Sequence, residues 1–417
     1  MSAHQSDANS QPEKTLQRRN FLGAVFVLAL ATGIVSQFLV HGVSLFLRAA
    51  GHSGTMVGLV YLATLPAVLK VIWAPLVDRF GNSRIGHYRS WIIGGQISMT
   101  GLLAGLAFAD PSSAPVAVII LVMLTAFACA TQDTAVAGLM VIKLTPSDRA
   151  AGASLRGAGA ALAGIFVGLI MALTSEAGGW VATIGVLVAI AGVVATLSFL
   201  MMLDRGIRAP SQCLSLRSQF SILRNEAARR LLGIKVLVGM SLALSYGLKS
   251  LILIDAGYSV AEAGMIGLVA GGAVGLLAIT LVQPLIVRFG GYCILAWLAA
   301  ISVVFCSVFS VVMFGGFDRV IAAVFVLIAN AITFAMFPAS RSILFAYCDR
   351  SRAATEFAAF TSLEAVALLL CAGIGNALAD RVGYSPVLAV GAGLSALGAI
   401  WAWSRRKEVS AYEGEVI

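Results

Sequence analysis

Long apolar stretches separated by short polar gaps dominate this chain, and they restrict what it can fold into. A helix needs roughly 17 to 25 mainly apolar residues to cross a bilayer. On that measure twelve spans are expected, at about 21–46, 55–77, 91–109, 115–142, 152–174 and 180–203, then 231–254, 263–287, 291–314, 320–346, 355–378 and 385–403. Of the 417 residues 59% are hydrophobic and only 11% charged, and the mean hydropathy is +0.95. An ordinary soluble domain is about one quarter charged, so the fold class expected is all-α and polytopic in a membrane.

The phrase Pro75-Leu76-Val77-Asp78-Arg79-Phe80-Gly81 returns as Pro284-Leu285-Ile286-Val287-Arg288-Phe289-Gly290, each copy ending one apolar run and preceding another. A basic turn that recurs about half a chain later is what a duplicated bundle leaves behind, and parallel repeats of this kind are built into one large class of secondary transporters. The expected organisation is a cytoplasmic tail at 1–20, a six-helix half at 21–203, a cytoplasmic linker at 204–230, a second six-helix half at 231–404 and a cytoplasmic tail at 405–417. The linker is the longest internal polar stretch and holds Arg205, Arg208, Pro210, Arg217, Arg224, Arg229 and Arg230.

Basic residues in short loops are retained on the cytoplasmic side. With the N-terminus inside, twenty of the 28 Lys and Arg fall in the two tails and the cytoplasmic gaps, while the outer gaps hold only Arg48, Arg319 and Arg381. Both termini are therefore expected in the cytoplasm, with Asp110, Glu176, Asp255, Glu262 and Asp318 outside. The run from Phe21 is too long for a signal h-region and lacks a small-residue cleavage site, so it reads as a retained first span.

The net charge of +9 does not indicate nucleic acid, because the basic residues sit in interhelical gaps without a basic face or aromatic platform. The six cysteines form no C-x-x-C pair and the four histidines are scattered, so neither disulfides nor a metal site is expected. No cofactor is implied. P-loop, H-E-x-x-H and G-x-S-x-G signatures are absent, which argues against ATP-driven transport and against an enzyme.

Trp73-Ala74-Pro75-Leu76-Val77-Asp78-Arg79-Phe80-Gly81 resembles the G-x-x-x-D-R-x-G signature of the major facilitator superfamily, and twelve spans in two halves extend the likeness over the whole chain. Leu65-Pro66, Lys70, Trp73-Ala74-Pro75-Leu76, Asp78-Arg79, Arg89-Ser90-Trp91 and Ala130-Thr131-Gln132-Asp133 are similar to the branch holding AmpG-like muropeptide permeases and rhizobactin/pyochelin-type siderophore permeases. Phe46-Leu47-Arg48-Ala49-Ala50-Gly51 and the run from Asp78 to Trp91 look closest to the siderophore side. The chain departs from the branch where a second acid is expected soon after Asp133; Ala137 stands near its place.

What the resemblance implies is a monomeric permease of the inner membrane that imports a siderophore or its iron complex by proton-coupled alternating access. The alternatives are a muropeptide or other amphiphilic-solute permease, and a membrane sensor that binds a ligand without moving it. Asp78, Arg79, Arg84, Arg89 and Arg288 are candidates for a conformational latch at helix ends, asymmetric because Val287 replaces the acid in the second copy; enforcement of topology is the plainer role for the arginines.

Charged groups inside apolar spans cost a few kcal/mol on insertion scales and persist with a partner or a wet cavity. Here they include Lys70, Asp133, Arg156, Lys249, Arg341 and Glu364. Asp133 and Glu364 are the candidate proton-coupling acids, and a static ion pair with Lys70, Arg156 or Arg341 is the competing role. Lys70, Arg156, Lys249 and Arg341 would bias a central cavity toward an anionic cargo, with the guanidinium forks of Arg156 and Arg341 suited to carboxylate or phenolate oxygens. Lys249 is as well explained by snorkelling to water. Gln37 and Tyr246, with Ser245 nearby, are further substrate-binding candidates, carried over from the path-lining role of the first and seventh helices in the superfamily. His41 is a minor candidate.

Overall fold

The computed structural model describes residues 3–82, 84–143, 146–200, 226–347 and 353–404. The expected linker, apart from the start of the next helix at Glu226, and the C-terminal tail lie outside the described residues. Those described are almost wholly helical, the sole bridge being Asn82 with Gly86 in the turn after the first repeat phrase.

In the first half, α1 (Ala3–Gln37) runs through a π-helical turn (Phe38–Gly42) into α2 (Val43–Ala49). The second span is broken into α3 (Gly54–Ala63), α4 (Pro66–Leu69), a 3-10 turn (Lys70–Ile72) and α5 (Ala74–Arg79). Pro66 and Pro75 supply the breaks, since each removes a helical donor. The half continues with α6 (His87–Leu106), α7 (Pro115–Lys143) and α8 (Pro146–Leu200).

The second half comprises α9 (Glu226–Asp255), α10 (Val260–Gly264), a π-helical segment (Met265–Ala270), α11 (Gly271–Phe289), α12 (Gly291–Val312), a 3-10 turn (Met313–Gly315), α13 (Arg319–Tyr347), α14 (Ala353–Val382) and α15 (Tyr384–Ser404).

Among the described residues nine helical stretches are long and apolar enough to cross a bilayer, fewer than the twelve expected. The differences have local causes. The second span is fragmented, and the helix of the third, α6, carries His87, Arg89, Ser90, Gln96, Ser98 and Thr100. The fifth and sixth run together as α8, which turns at Gly179 (φ 61°, ψ −141°), a backbone region essentially restricted to glycine. The first helix also begins at Ala3, well ahead of the expected start at residue 21.

Each half packs its own helices together: α1 on α8 and α6 on α7 in the first, α12 on α15 and α9 on α14 in the second. Contact between halves runs through α3 on α14, α8 on α10 and α2 on α9. Small residues permit this, as helix association in lipid relies on close backbone approach. A Cβ on Gly58 would stand 2.4 Å from the carbonyl oxygen of Gly373, and one on Gly54 would stand 2.5 Å from that of Asn376. Large apolar side chains such as Phe108, Leu173, Leu281, Val304 and Val311 point outward, the surface a bilayer would cover.

The two repeat phrases fold alike where their sequences agree. Arg79 lies over the Phe80 ring at 5.4 Å and Arg288 over Phe289 at 5.1 Å. They differ at the acid position: Asp78 accepts a hydrogen bond from the Tyr88 hydroxyl at 2.9 Å, whereas Val287 is 82% exposed.

Candidate functional site: a cavity between the halves and the contacts that close one end

A cavity of about 510 Å³ lies between the halves. The first half contributes Gln37, Val40 and Tyr61; most of the lining comes from the second, including Lys235, Tyr246, Phe334, Ser340 and Glu364. Two irregularities shape its walls. The π-helical turn directly follows Gln37 and contains Val40, the kind of insertion found at functional sites. In α13, Pro338 removes the donor that the Phe334 carbonyl would otherwise meet.

The central charged feature is an ion pair. Lys235 Nζ lies 2.5 Å from Glu364 Oε2, with the two side chains 4% and 18% exposed, and the ammonium also sits 5.2 Å from the centre of the Phe360 ring. A pair held this far from bulk water is worth much less than the penalty for leaving one member alone. A proton on Glu364, or a competing anion at Lys235, would therefore change the local balance sharply.

Of the residues expected to bind cargo or protons, Gln37, Tyr246 and Glu364 line this cavity. Lys70 and Asp133 do not; they pair with each other inside the first half, beside Trp73, whose indole N–H donates to Thr131 Oγ1 at 3.2 Å. Asp133 and Glu364 thus sit in two separate ion pairs, Asp133 with Lys70 and Glu364 with Lys235. The side chains of Arg156 and Arg341 lie outside the described ones, although the neighbouring Ser340 lines the cavity.

The latch candidates hold the turn between α5 and α6. Besides the Asp78–Tyr88 bond, Arg89 donates to the Phe199 carbonyl, the Arg84 amide donates to Asn82 Oδ1 at 2.9 Å, and a His87 ring nitrogen meets the Val77 carbonyl. These contacts tie α5, α6 and the end of α8 within the first half.

At the other end of the cavity the halves are joined directly. Arg48, ending α2, grips Asp255, ending α9, through both carboxylate oxygens at 2.7 and 2.6 Å. Its guanidinium also lies 3.5 Å from Asp380 in α14. Tyr384 donates to Asp255 at 2.5 Å, and the Thr55 amide donates to Asp380 at 2.8 Å. Deeper in the interface the Tyr61 hydroxyl donates to the Gly247 carbonyl at 3.2 Å. Bidentate arginine–carboxylate pairs combine strength with geometric specificity, and this one closes the end marked by α2, α3, α9, α14 and α15.

Two parts of this site escape a linear reading. Lys235 lies within the expected seventh span, near the arginine-rich linker, and looks like part of the helix start. Arg48 and Asp255 are visible as opposite charges in gaps of different halves; their pairing needs the chain to bring together positions 207 residues apart.

A helical membrane bundle of two halves around a polar-centred cavity defines the class of a secondary transporter. The chain belongs to the Major Facilitator Superfamily, whose family model matches residues 21–372; it is thus a multi-pass membrane protein of a transporter family, not of an enzyme family. It is 26% identical over 122 residues to Putative transporter AmpG 3 of Rickettsia prowazekii (strain Madrid E), a match covering 28% of this chain and 29% of the relative. It is 30% identical over 115 residues to the anhydromuropeptide permease of Escherichia coli (strain K12), covering 27% of this chain and 23% of that one. These matched segments span less than a third of either curated relative. A solved bacterial homologue of the human lysosomal transporter Spinster, in an inward-facing and unoccupied conformation, shares the fold with a TM-score of 0.68 at 16% identity, covering 92% of this chain and 96% of that one.

Proposed function

We propose that this chain is a proton-coupled importer that carries an amphiphilic organic anion across the inner membrane by alternating access, with both termini in the cytoplasm. The Lys235–Glu364 pair in the wall of the cavity between the halves carries the reading. Lys235 can neutralise either Glu364 or an anionic group of the cargo. Protonation of Glu364 releases Lys235 to the cargo, and loss of both restores the pair, so proton and anion travel together. The wide apolar lining suits a large solute with few charges.

The resemblance to muropeptide permeases, joined by the local likeness to curated relatives of that name, favours an anhydromuropeptide or similar wall fragment as cargo. The siderophore reading rests on the Phe46–Gly51 and Asp78–Trp91 segments and remains the competing cargo. Uptake of labelled anhydromuropeptide and of a labelled ferric carboxylate siderophore into proteoliposomes under an imposed proton gradient tests the choice. Accumulation of the first, abolished by a protonophore, is expected. Accumulation of the siderophore alone would replace the cargo, and tight binding without accumulation of either would favour the sensor.

A further inference from the structure

Beyond the tip of the cavity α9 carries a second lysine with no carboxylate partner among the described residues. Lys249 is 2% exposed, and among the described residues its side-chain nitrogen has no hydrogen-bond partner. Its only described polar support is the face of Tyr246, whose ring centre is 3.7 Å away. The other side of the same neighbourhood is His41, equally buried, packed edge-on to Tyr246 at 5.2 Å and with Nδ1 unpartnered. A cation–π contact offsets only part of the cost of burying an ammonium. The cluster therefore has unspent capacity for an anion.

Its place along the helix says when that capacity is used. Lys235, Tyr246, Lys249 and Asp255 follow one another on α9. The two lysines are separated by about 21 Å of helix rise and by nearly whole turns, so they share one face. Tyr246 lines the cavity and Asp255 belongs to the Arg48 clasp, which leaves Lys249 sealed between them. Opening the clasp would uncover Lys249 before Lys235.

We infer that Lys249, with Tyr246 and His41 beside it, is an anion-receiving site at the clasp end of the path, taking a carboxylate of the cargo before transfer toward Lys235. The inference rests on the proposed route of cargo through this cavity.

Two measurements on the full chain in proteoliposomes test it. Uptake of anhydromuropeptide is compared with uptake of its carboxyl-amidated form in wild type, Lys249→Gln and Lys249→Arg. The expected result is a KM for the free acid raised at least about tenfold in Lys249→Gln, little change for the amide, and substantial recovery in Lys249→Arg. Equal effects on both forms, or none, would overturn the site. The second measurement needs no cargo: Lys249 is labelled by an amine-reactive reagent in the clasp-opened Arg48→Ala variant, with citrate or glucose present, and mapped by mass spectrometry. Labelling in the variant but not in wild type, slowed by citrate and not by glucose, is expected. Absence of labelling in the opened variant, or indifference to citrate, would refute the proposal. If wild type carries neither muropeptide form, the cargo reading fails while citrate protection still judges the anion site.

Discussion

In the proposed function Glu364 and Lys235 carry the coupling step in one ion pair, and their variants separate coupling from stability. Glu364→Gln removes the exchangeable charge while keeping the shape, so gradient-driven accumulation should be lost while counterflow exchange of labelled cargo persists. Unchanged pH-dependent uptake in that variant would remove Glu364 from the coupling step. Lys235→Met leaves the Glu364 carboxylate alone in the wall and should lower the melting temperature by a few degrees; adding Glu364→Leu should restore it without restoring transport. A thermal melt of the three proteins checks this. Of these two residues only the acid is legible in the sequence, because an acid deep in an apolar run stands out, while a lysine near a basic linker does not.

At the scale of helices, close backbone approach governs what can move. Gly58 meets the Gly373 carbonyl where α3 crosses α14, and a Cβ there would require the helices to separate. Gly58→Val should hold the clasp end open, seen as faster reaction of a cysteine placed at Ala243, which lines the cavity, with an impermeant thiol reagent applied from that side. An unchanged rate would show that the crossing can adjust without opening. Gly179 has a different duty, turning α8 back through a conformation that L residues resist. Gly179→Ala should cost about 1–3 kcal/mol and appear as a lowered melting temperature. Apolar length marks where spans begin and end; it does not show the junction inside α8 or the broken second span, since these depend on backbone angles set by particular glycines and prolines.

For the whole molecule the clasp of Arg48 with Asp255, Asp380 and Tyr384 is a charged contact between the halves, and its loss should shift the balance between their arrangements. Its side chains are about one quarter exposed, so salt weakens it. Arg48→Ala should raise labelling of the Ala243 cysteine from the clasp side by about tenfold, equivalent to a shift of roughly 1.4 kcal/mol between arrangements. High ionic strength should reproduce part of that change in the wild-type background. A lysine at position 48 should rescue poorly, because a point charge cannot reproduce two parallel bonds to Asp255.

Hydropathy, the repeated Arg-Phe-Gly phrase and the distribution of arginines determine a duplicated helical membrane protein, because the bilayer leaves few ways to satisfy a backbone and these patterns are local in the chain. Of the residues lining the cavity, Glu364 is legible as a charge in an apolar run that needs a partner or a wet space, and Gln37 and Tyr246 only through the family resemblance. The chain alone does not decide which charges meet. Lys70 takes Asp133, Lys235 takes Glu364, and Arg48 reaches Asp255 across half the sequence. Those choices follow from helix crossings, and a few ångströms of tertiary geometry decide whether a buried charge is compensated or left waiting for one.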